Sequence, residues 1–212
     1  FKNKIIIITN GYDPSDIKNI FPVHNNEKFT ITFTGNFFSV TSDNNFLEGL
    51  SEFLKSHPHA ESKILVRFVG SIFDDASQRL IHFLGLQDVV EVLGYCPYKK
   101  CLQYQIESDV LLLTRSNEQG NEVIIPAKLF EYLAVKKPIL ALVPRNGEAA
   151  RLIHETKSGI VVSPDDKEKI SLAEIADNSP ISVQLGYGLI GMVDEDNGGP
   201  LVNRITGIRR QV

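Results

Sequence analysis

The sequence predicts an α/β fold built on a doubly wound parallel sheet, and three observations lead there. From about Lys28 to Ser163, short apolar runs alternate with helical patterns. Most of those runs are rich in Val, Ile and Leu without strict alternation, the composition of strands covered on both faces. Strand and helix follow each other at an interval that suits βαβ units, whose crossovers make a sheet parallel. No internal repeat and no low-complexity tract interrupts the series.

In chain order the strands are "FTITFTG" (29–35), "KILVRFVG" (63–70), "VVEVLG" (89–94), "DVLLLT" (109–114), "PILALV" (138–143) and "GIVVS" (159–163). Helical patterns occupy 44–56, 74–85, 97–107, 126–136, 146–156 and 165–176. The opening "FKNKIIIITNGYD" reads as a strand ending in a turn. Its apolar run falls short of the roughly 7–15-residue core of a signal peptide. A chain that opens on Phe1 rather than Met reads as a fragment. Pro126 suits the first turn of its helix, because its missing N–H would be unpaired there anyway. Leu129, Leu133 and Phe130 then mark an apolar face, and Pro138 opens the buried strand that follows.

At 212 residues the chain has room for one large domain or two small ones. A hydrophobic content of 42% with 23% charged residues fits a soluble globular protein. The formal net charge of −4 argues against a general nucleic-acid binder. No apolar run approaches the roughly 20 residues that cross a bilayer, so a cytoplasmic protein without a membrane span is expected. Cys96 and Cys101 are spaced C-x4-C with no second pair, a pattern of neither a zinc site nor a redox couple. They read as reduced thiols of a cytosolic protein. His57 and His59 flank Pro58 at a helix end, as a solvated turn rather than a metal site, and no metal site is expected elsewhere.

In sheets of this kind, ligands bind outside the carboxyl ends of the strands. The longest loop there, "TRSNEQGNEVIIP" (114–126), is polar before it turns apolar and leads into the helix that carries Glu131. Long loops in compact domains are usually functional or disordered. A carboxylate at Glu131 is acceptor-only and can take two hydroxyl donors; an acid near a helix start also simply complements the macrodipole. Lys128, one short turn earlier, can meet a diphosphate as a point charge or sit in solvent. Gly35 ends a strand, where a glycine lets backbone amides approach a phosphate, with Asn36 beside it.

Several ordered blocks carry a family resemblance: "ITNGYDPSDI", "FTITFTGNF" followed by "NNFLEGLSEFL", "LVRFVG", "VVEVLGYCPYKKCLQYQIESDVLLL" and "PAKLFEYLAVKKPILALVPRNGEAARLIHETKSGIVVSPDD". Over about residues 4–170 they resemble the second, Rossmann-like domain of GT-B glycosyltransferases of the retaining family 4 (group 1) type. The resemblance implies a nucleotide-sugar-binding domain over 1–176, with an NDP-sugar (UDP or GDP) as a substrate-type ligand and no cofactor. The family's helix glutamate, which accepts the ribose hydroxyls, falls at Glu131, with Lys128 and Leu129 beside it. Gly35 and Asn36 fall at the phosphates, and Tyr95 and Cys96 of "GYCP" at the base edge. No catalytic residue is assigned. Two departures leave the sugar open. Many members carry a glutamate eight residues before the helix glutamate, where this chain has Val123; Glu118 and Glu122 lie off that spacing. The arginine common in the first loop is absent from "GNFFSVTSDN".

In GT-B enzymes the acceptor site comes from an amino-terminal domain, which is therefore an expected partner. The chain alone is expected to be inactive without it. Residues 179–212, "SPISVQLGYGLIGMVDEDNGGPLVNRITGIRRQV", resemble instead the start of the cytosolic domain of flagellar and type III secretion export-gate proteins. Val183, Leu185, Tyr187 and Leu189 alternate as in a strand. Pro200 can start a helix with Leu201, Ile205, Ile208 and Val212 on one face. The expectation is a chimera in which 177–212 forms an appended strand and helix packed on the first domain. The competing readings are a scaffold from fold recombination that binds nothing, and half of a sugar-nucleotide epimerase.

Overall fold

The computed structural model describes residues 10–18, 20–22, 27–36, 41–70 and 75–166, with backbone alone over 41–43. The strand expected at the start of the chain and the segment 177–212 lie outside the described residues. So does most of the helix expected over 165–176, of which Asp165 and Asp166 are not helical.

Among the described residues six strands form one sheet: β1 (Phe29–Thr34), β2 (Ile64–Val69), β3 (Val90–Gly94), β4 (Val110–Thr114), β5 (Ile139–Leu142) and β6 (Gly159–Val162). Their order is β3-β2-β1-β4-β5-β6 and every pairing is parallel. Each lies within one residue of the segment expected from the sequence. The helices are α1 (Pro14–Lys18), α2 (Thr41–Ser56), α3 (Asp75–Phe83), α4 (Tyr98–Glu107), α5 (Ala127–Val135) and α6 (Glu148–Thr156). Among the described residues no helix is long and apolar enough to cross a membrane.

Two apolar layers cover the sheet. On one side, Phe29, Ile31 and Phe33 of β1 and Ile64, Val66 and Phe68 of β2 meet Phe46, Leu47, Leu50 and Phe53 of α2. On the other, Leu111, Leu113, Ile139 and Ala141 meet Leu129 and Tyr132 of α5 and Ile153 of α6. Burying each large apolar side chain contributes about 1.5–3 kcal/mol, so these layers hold the sheet together.

β1 departs from that pattern on one face. Its alternate residues Thr30, Thr32 and Thr34 are all buried, and α4 with the turn after it lies across them. Buried hydroxyls and amides require partners, and the segment after α4 supplies two. Ser108 Oγ and Thr32 Oγ1 share a hydrogen bond at 2.6 Å, and the Thr30 N–H donates to Asp109 Oδ2 at 2.8 Å. The third threonine, Thr34, is reserved for the site at the end of the strand.

Two local readings change. Helix α5 begins at Ala127, and Pro126 is the residue before it, extended at φ −61 and ψ 137. The proline's fixed φ suits either place, and its missing N–H costs nothing in both. His57 is not simply a solvated turn: its ring stacks on Phe53 at 4.6 Å as α2 gives way to a short 3-10 turn over Pro58–Ala60.

Candidate functional site

Strand order reverses between β1 and β4, so the connections leaving them run to opposite sides and open a crevice at their carboxyl ends. Gly35 terminates β1 with φ 118, a conformation that only glycine adopts readily. Its N–H donates to Val69 O at 2.8 Å, locking it to the end of β2. The next residue of that strand's exit, Gly70, passes so close that a Cβ there would fall 1.7 Å from Gly35 O. Lys128 reaches over the same point from α5. Its Nζ stands 3.8 Å from the centroid of the Phe33 ring, and a Cβ on Gly35 would come within 2.8 Å of it. Gly35 and Lys128, singled out separately in the sequence, thus meet, and the missing side chain of one makes room for the ammonium of the other. Asn36 follows Gly35 at the exposed rim.

Glu131 lies half-buried in the second turn of α5. Gln105 of α4 donates to it, Nε2 to Oε2, at 3.1 Å. The same nitrogen donates to Thr34 Oγ1 at 3.0 Å. Tyr132, fully buried, donates to Leu112 O at 3.2 Å and accepts the Thr34 N–H at 3.1 Å. Its oxygen also lies 3.2 Å from Thr34 Oγ1. Burial pushes the Tyr132 phenol up to about 12, so it remains a neutral donor at any ordinary pH. One tyrosine therefore bridges β1 and β4 at the point where the strand order reverses.

The loop after β3 leads into α4. Tyr95 is 77% exposed, and the half-buried Cys96 offers its carbonyl to the Cys101 thiol at 3.4 Å. Burial, then the neighbouring Cys96 and Glu131, push the Cys101 thiol up, since each disfavours a thiolate there. Burial and then Glu131 raise the Tyr98 phenol too, followed by Asp16 of α1, with which it hydrogen-bonds. Cys96, Tyr98 and Glu131 thus converge around one helix start. Cys101 is expected to alkylate more slowly than a free cysteine near pH 8.5, and Glu131→Gln is expected to speed it. Iodoacetamide labelling followed by peptide mass spectrometry reads both rates. An unchanged Cys101 rate in the variant would contradict the proximity of the carboxylate.

Leu129 turns into the core beneath α5, fully buried, with its N–H donating to Pro126 O at 3.0 Å. Val123 is 70% exposed on a short turn over Asn121–Val123. Glu122 bends back to accept the Gly120 N–H at 2.8 Å. Among the described residues no group of three or more His, Cys, Asp or Glu is placed to hold a metal ion. A cleft of about 470 Å³ lined by Leu133, Lys136, Lys137, Pro138, Lys157 and Ser158 opens at the amino ends of β5 and β6. It lies at the wrong end of the sheet for this crevice. Sequence reasoning missed Thr34, Gln105 and Tyr132. Tyr132 had a local signal, its place directly after Glu131; the other two had none.

Residues 16–176 match the family described as glycosyl transferases group 1. No curated protein sequence matches the chain significantly. Among solved structures, the chain is similar to WaaG, a glycosyltransferase involved in lipopolysaccharide biosynthesis, with a TM-score of 0.63 and 16% identity. That match covers 94% of this chain and 54% of WaaG, so the chain spans about half of that protein's length. The C-terminal domain of the glycosyl transferase group 1 family protein LpcC from Francisella tularensis gives a TM-score of 0.58 at 19% identity, covering 86% of this chain and 97% of that one. HepE of Anabaena, solved with UDP and glucose, gives 0.53 at 15%, covering 95% of this chain and 53% of HepE. These likenesses show a GT-B-type Rossmann-like fold, and the family match extends over most of the sequence. The chain belongs to the group 1 glycosyl transferases.

Proposed function

We propose that this chain is the donor-binding half of a glycosyltransferase and holds an NDP-sugar at the carboxyl ends of β1 and β4. The observation that supports it is the ammonium of Lys128 beside the bare backbone of Gly35, with the carboxylate of Glu131 a turn further along α5. That set suits a nucleoside diphosphate: the carboxylate accepts two ribose hydroxyls, while the ammonium and the backbone of Gly35 and Asn36 face the phosphates. Tyr95 and Cys96 border the base, and Leu129 supports the helix from beneath. Transfer itself needs a second unit to bring the acceptor and exclude water, so these 212 residues alone bind donor without turnover.

Calorimetry with UDP, GDP and their sugar conjugates tests the reading, UDP first because HepE was solved with it. Binding heat and a raised melting temperature are expected, since a ligand held only by the native state must stabilise it. Glu131→Gln is expected to weaken binding by about 1.5–3 kcal/mol, the range for hydrogen bonds to charged groups. Glu118→Gln and Glu122→Gln matter less. Equal losses from all three would mean that bulk charge acts and that the site is misplaced. No heat and no shift at millimolar nucleotide would leave a scaffold that binds nothing.

The segment 177–212 we propose as an appended strand and helix that packs on this domain and makes the chain a chimera. The family match stops at residue 176, and the export-gate likeness of 179–212 rests on the sequence resemblance alone. Truncation after Asp177 is expected to lower the melting temperature or cause aggregation. A monomer that melts unchanged would make the segment a passenger.

A further inference from the structure

We propose that Gln105 positions Glu131, holding one carboxylate oxygen so that the other is presented to a pair of vicinal hydroxyls. The inference rests on the reading of Glu131 as the ribose acceptor, and its support is the direction in which the buried hydrogen bonds must run. Glu131 as a carboxylate can only accept, so the Gln105 group facing its Oε2 at 3.1 Å is the amide nitrogen. That nitrogen carries a second N–H, which runs to Thr34 Oγ1 at 3.0 Å. Thr34 is in turn tied to Tyr132, whose oxygen receives the Thr34 N–H at 3.1 Å and stands 3.2 Å from both Thr34 Oγ1 and Leu112 O. The amide is thus anchored on β1 and β4 beneath it.

A structural role alone does not account for a glutamine here. Gln105 is 0% exposed, and its Oε1 is buried with no donor among the described residues. An orphaned buried acceptor is destabilising, and a leucine of similar size would pack α4 on β1 without it. The two donors are what the glutamine adds, and one of them ends on Glu131. A carboxylate fixed at Oε2 holds its side-chain rotamer, and its remaining oxygen can accept two hydroxyl donors.

The test compares UDP with 2′,3′-dideoxy-UDP on the full chain by calorimetry, in the wild type, Gln105→Leu and Glu131→Gln. The wild type is expected to prefer UDP. Gln105→Leu is expected to cut that preference about tenfold, the worth of one hydrogen bond to a charged group, while leaving the dideoxy affinity unchanged. The double variant is then no worse than Glu131→Gln alone, because the two side chains act as one unit. A simply structural glutamine would weaken both nucleotides alike, and that result, or a preference kept intact in Gln105→Leu, overturns the positioning role. A wild type that binds both nucleotides equally, or neither, sinks the reading of Glu131 itself. Should Gln105→Leu fail to fold, Thr34→Val breaks the same relay from β1; a ribose preference unaltered there also overturns the proposal.

Discussion

Gly70→Ala is expected to cost about 3 kcal/mol, the top of the usual range for overpacking, and to lower the melting temperature by about 6–12 °C in a chain of this size. The cause is contact between backbones. A Cβ on Gly70 would lie 1.7 Å from Gly35 O and 2.5 Å from Gly35 C, atoms that no rotamer change can remove. Nor can the strands slide past one another. Gly35 N–H is bonded to Val69 O at 2.8 Å, and Gly70 N–H to Gly94 O at 2.9 Å, so three strand ends are tied in a row. The ends of β1 and β2 must part, and Gly35 moves with them. Nucleotide affinity is therefore expected to fall together with stability. Gly11→Ala is the control: nothing lies within 4 Å of its added Cβ, and it is expected to stay within about 0.5 kcal/mol of wild type. Thermal melts of both variants decide the matter, and a Gly70→Ala chain melting with Gly11→Ala would show that the two backbones do not touch in solution.

The sheet was legible because its signal is local and strong. β2, β4 and β5 are buried throughout or nearly so, and a strand buried on both faces must be apolar along its whole length. β1 was legible for a different reason. Its "FTITFT" alternates, and alternation ordinarily means one face in water. Here the threonine face is buried under α4, because Ser108, Asp109 and Gln105 answer its polar groups. Nothing in the strand itself announces that partner. Helix starts were less legible than strands, since α2 begins three residues ahead of the expected 44–56. Pro126 shows why: a residue that fits on either side of a boundary cannot mark it.

For the site, Gly35, Lys128 and Glu131 could be picked out because each stands at a place where the chain leaves a strand or enters a helix. Their assembly could not, because it depends on atoms far apart in sequence. Gln105 lies 26 residues from Glu131 and 71 from Thr34. It sits in "KKCLQYQIE", a helix of low apolar content on which a glutamine reads as surface. Only the strand order, which brings β1 between β2 and β4, turns that glutamine inward.

Phe33→Ala is expected to cost about 3–5 kcal/mol, as truncation of a buried phenylalanine does, and to disturb the site as well as the core. Phe33 is 2% exposed, and its ring lies 5.9 Å from that of Phe68 at a tilt of 50°. Its other contact reaches the crevice: Lys128 Nζ stands 3.8 Å from its centroid. An ammonium over a ring face is worth about 0.5–1 kcal/mol at an exposed position and more when water is excluded. Phe33→Leu separates the two effects, because it keeps apolar volume in the core and removes only the aromatic face. Stability is then expected to fall less than in Phe33→Ala, while Lys128 loses its platform in both. If Lys128 faces the phosphates, Phe33→Leu should narrow the preference for UDP over uridine by about two- to fivefold, the same 0.5–1 kcal/mol expressed as a ratio. Uridine affinity itself should barely change, because the contacts proposed for base and ribose lie elsewhere. An unaltered ratio in Phe33→Leu, beside a normal melt, would mean that the ring supports the core alone and that Lys128 is aimed by something else.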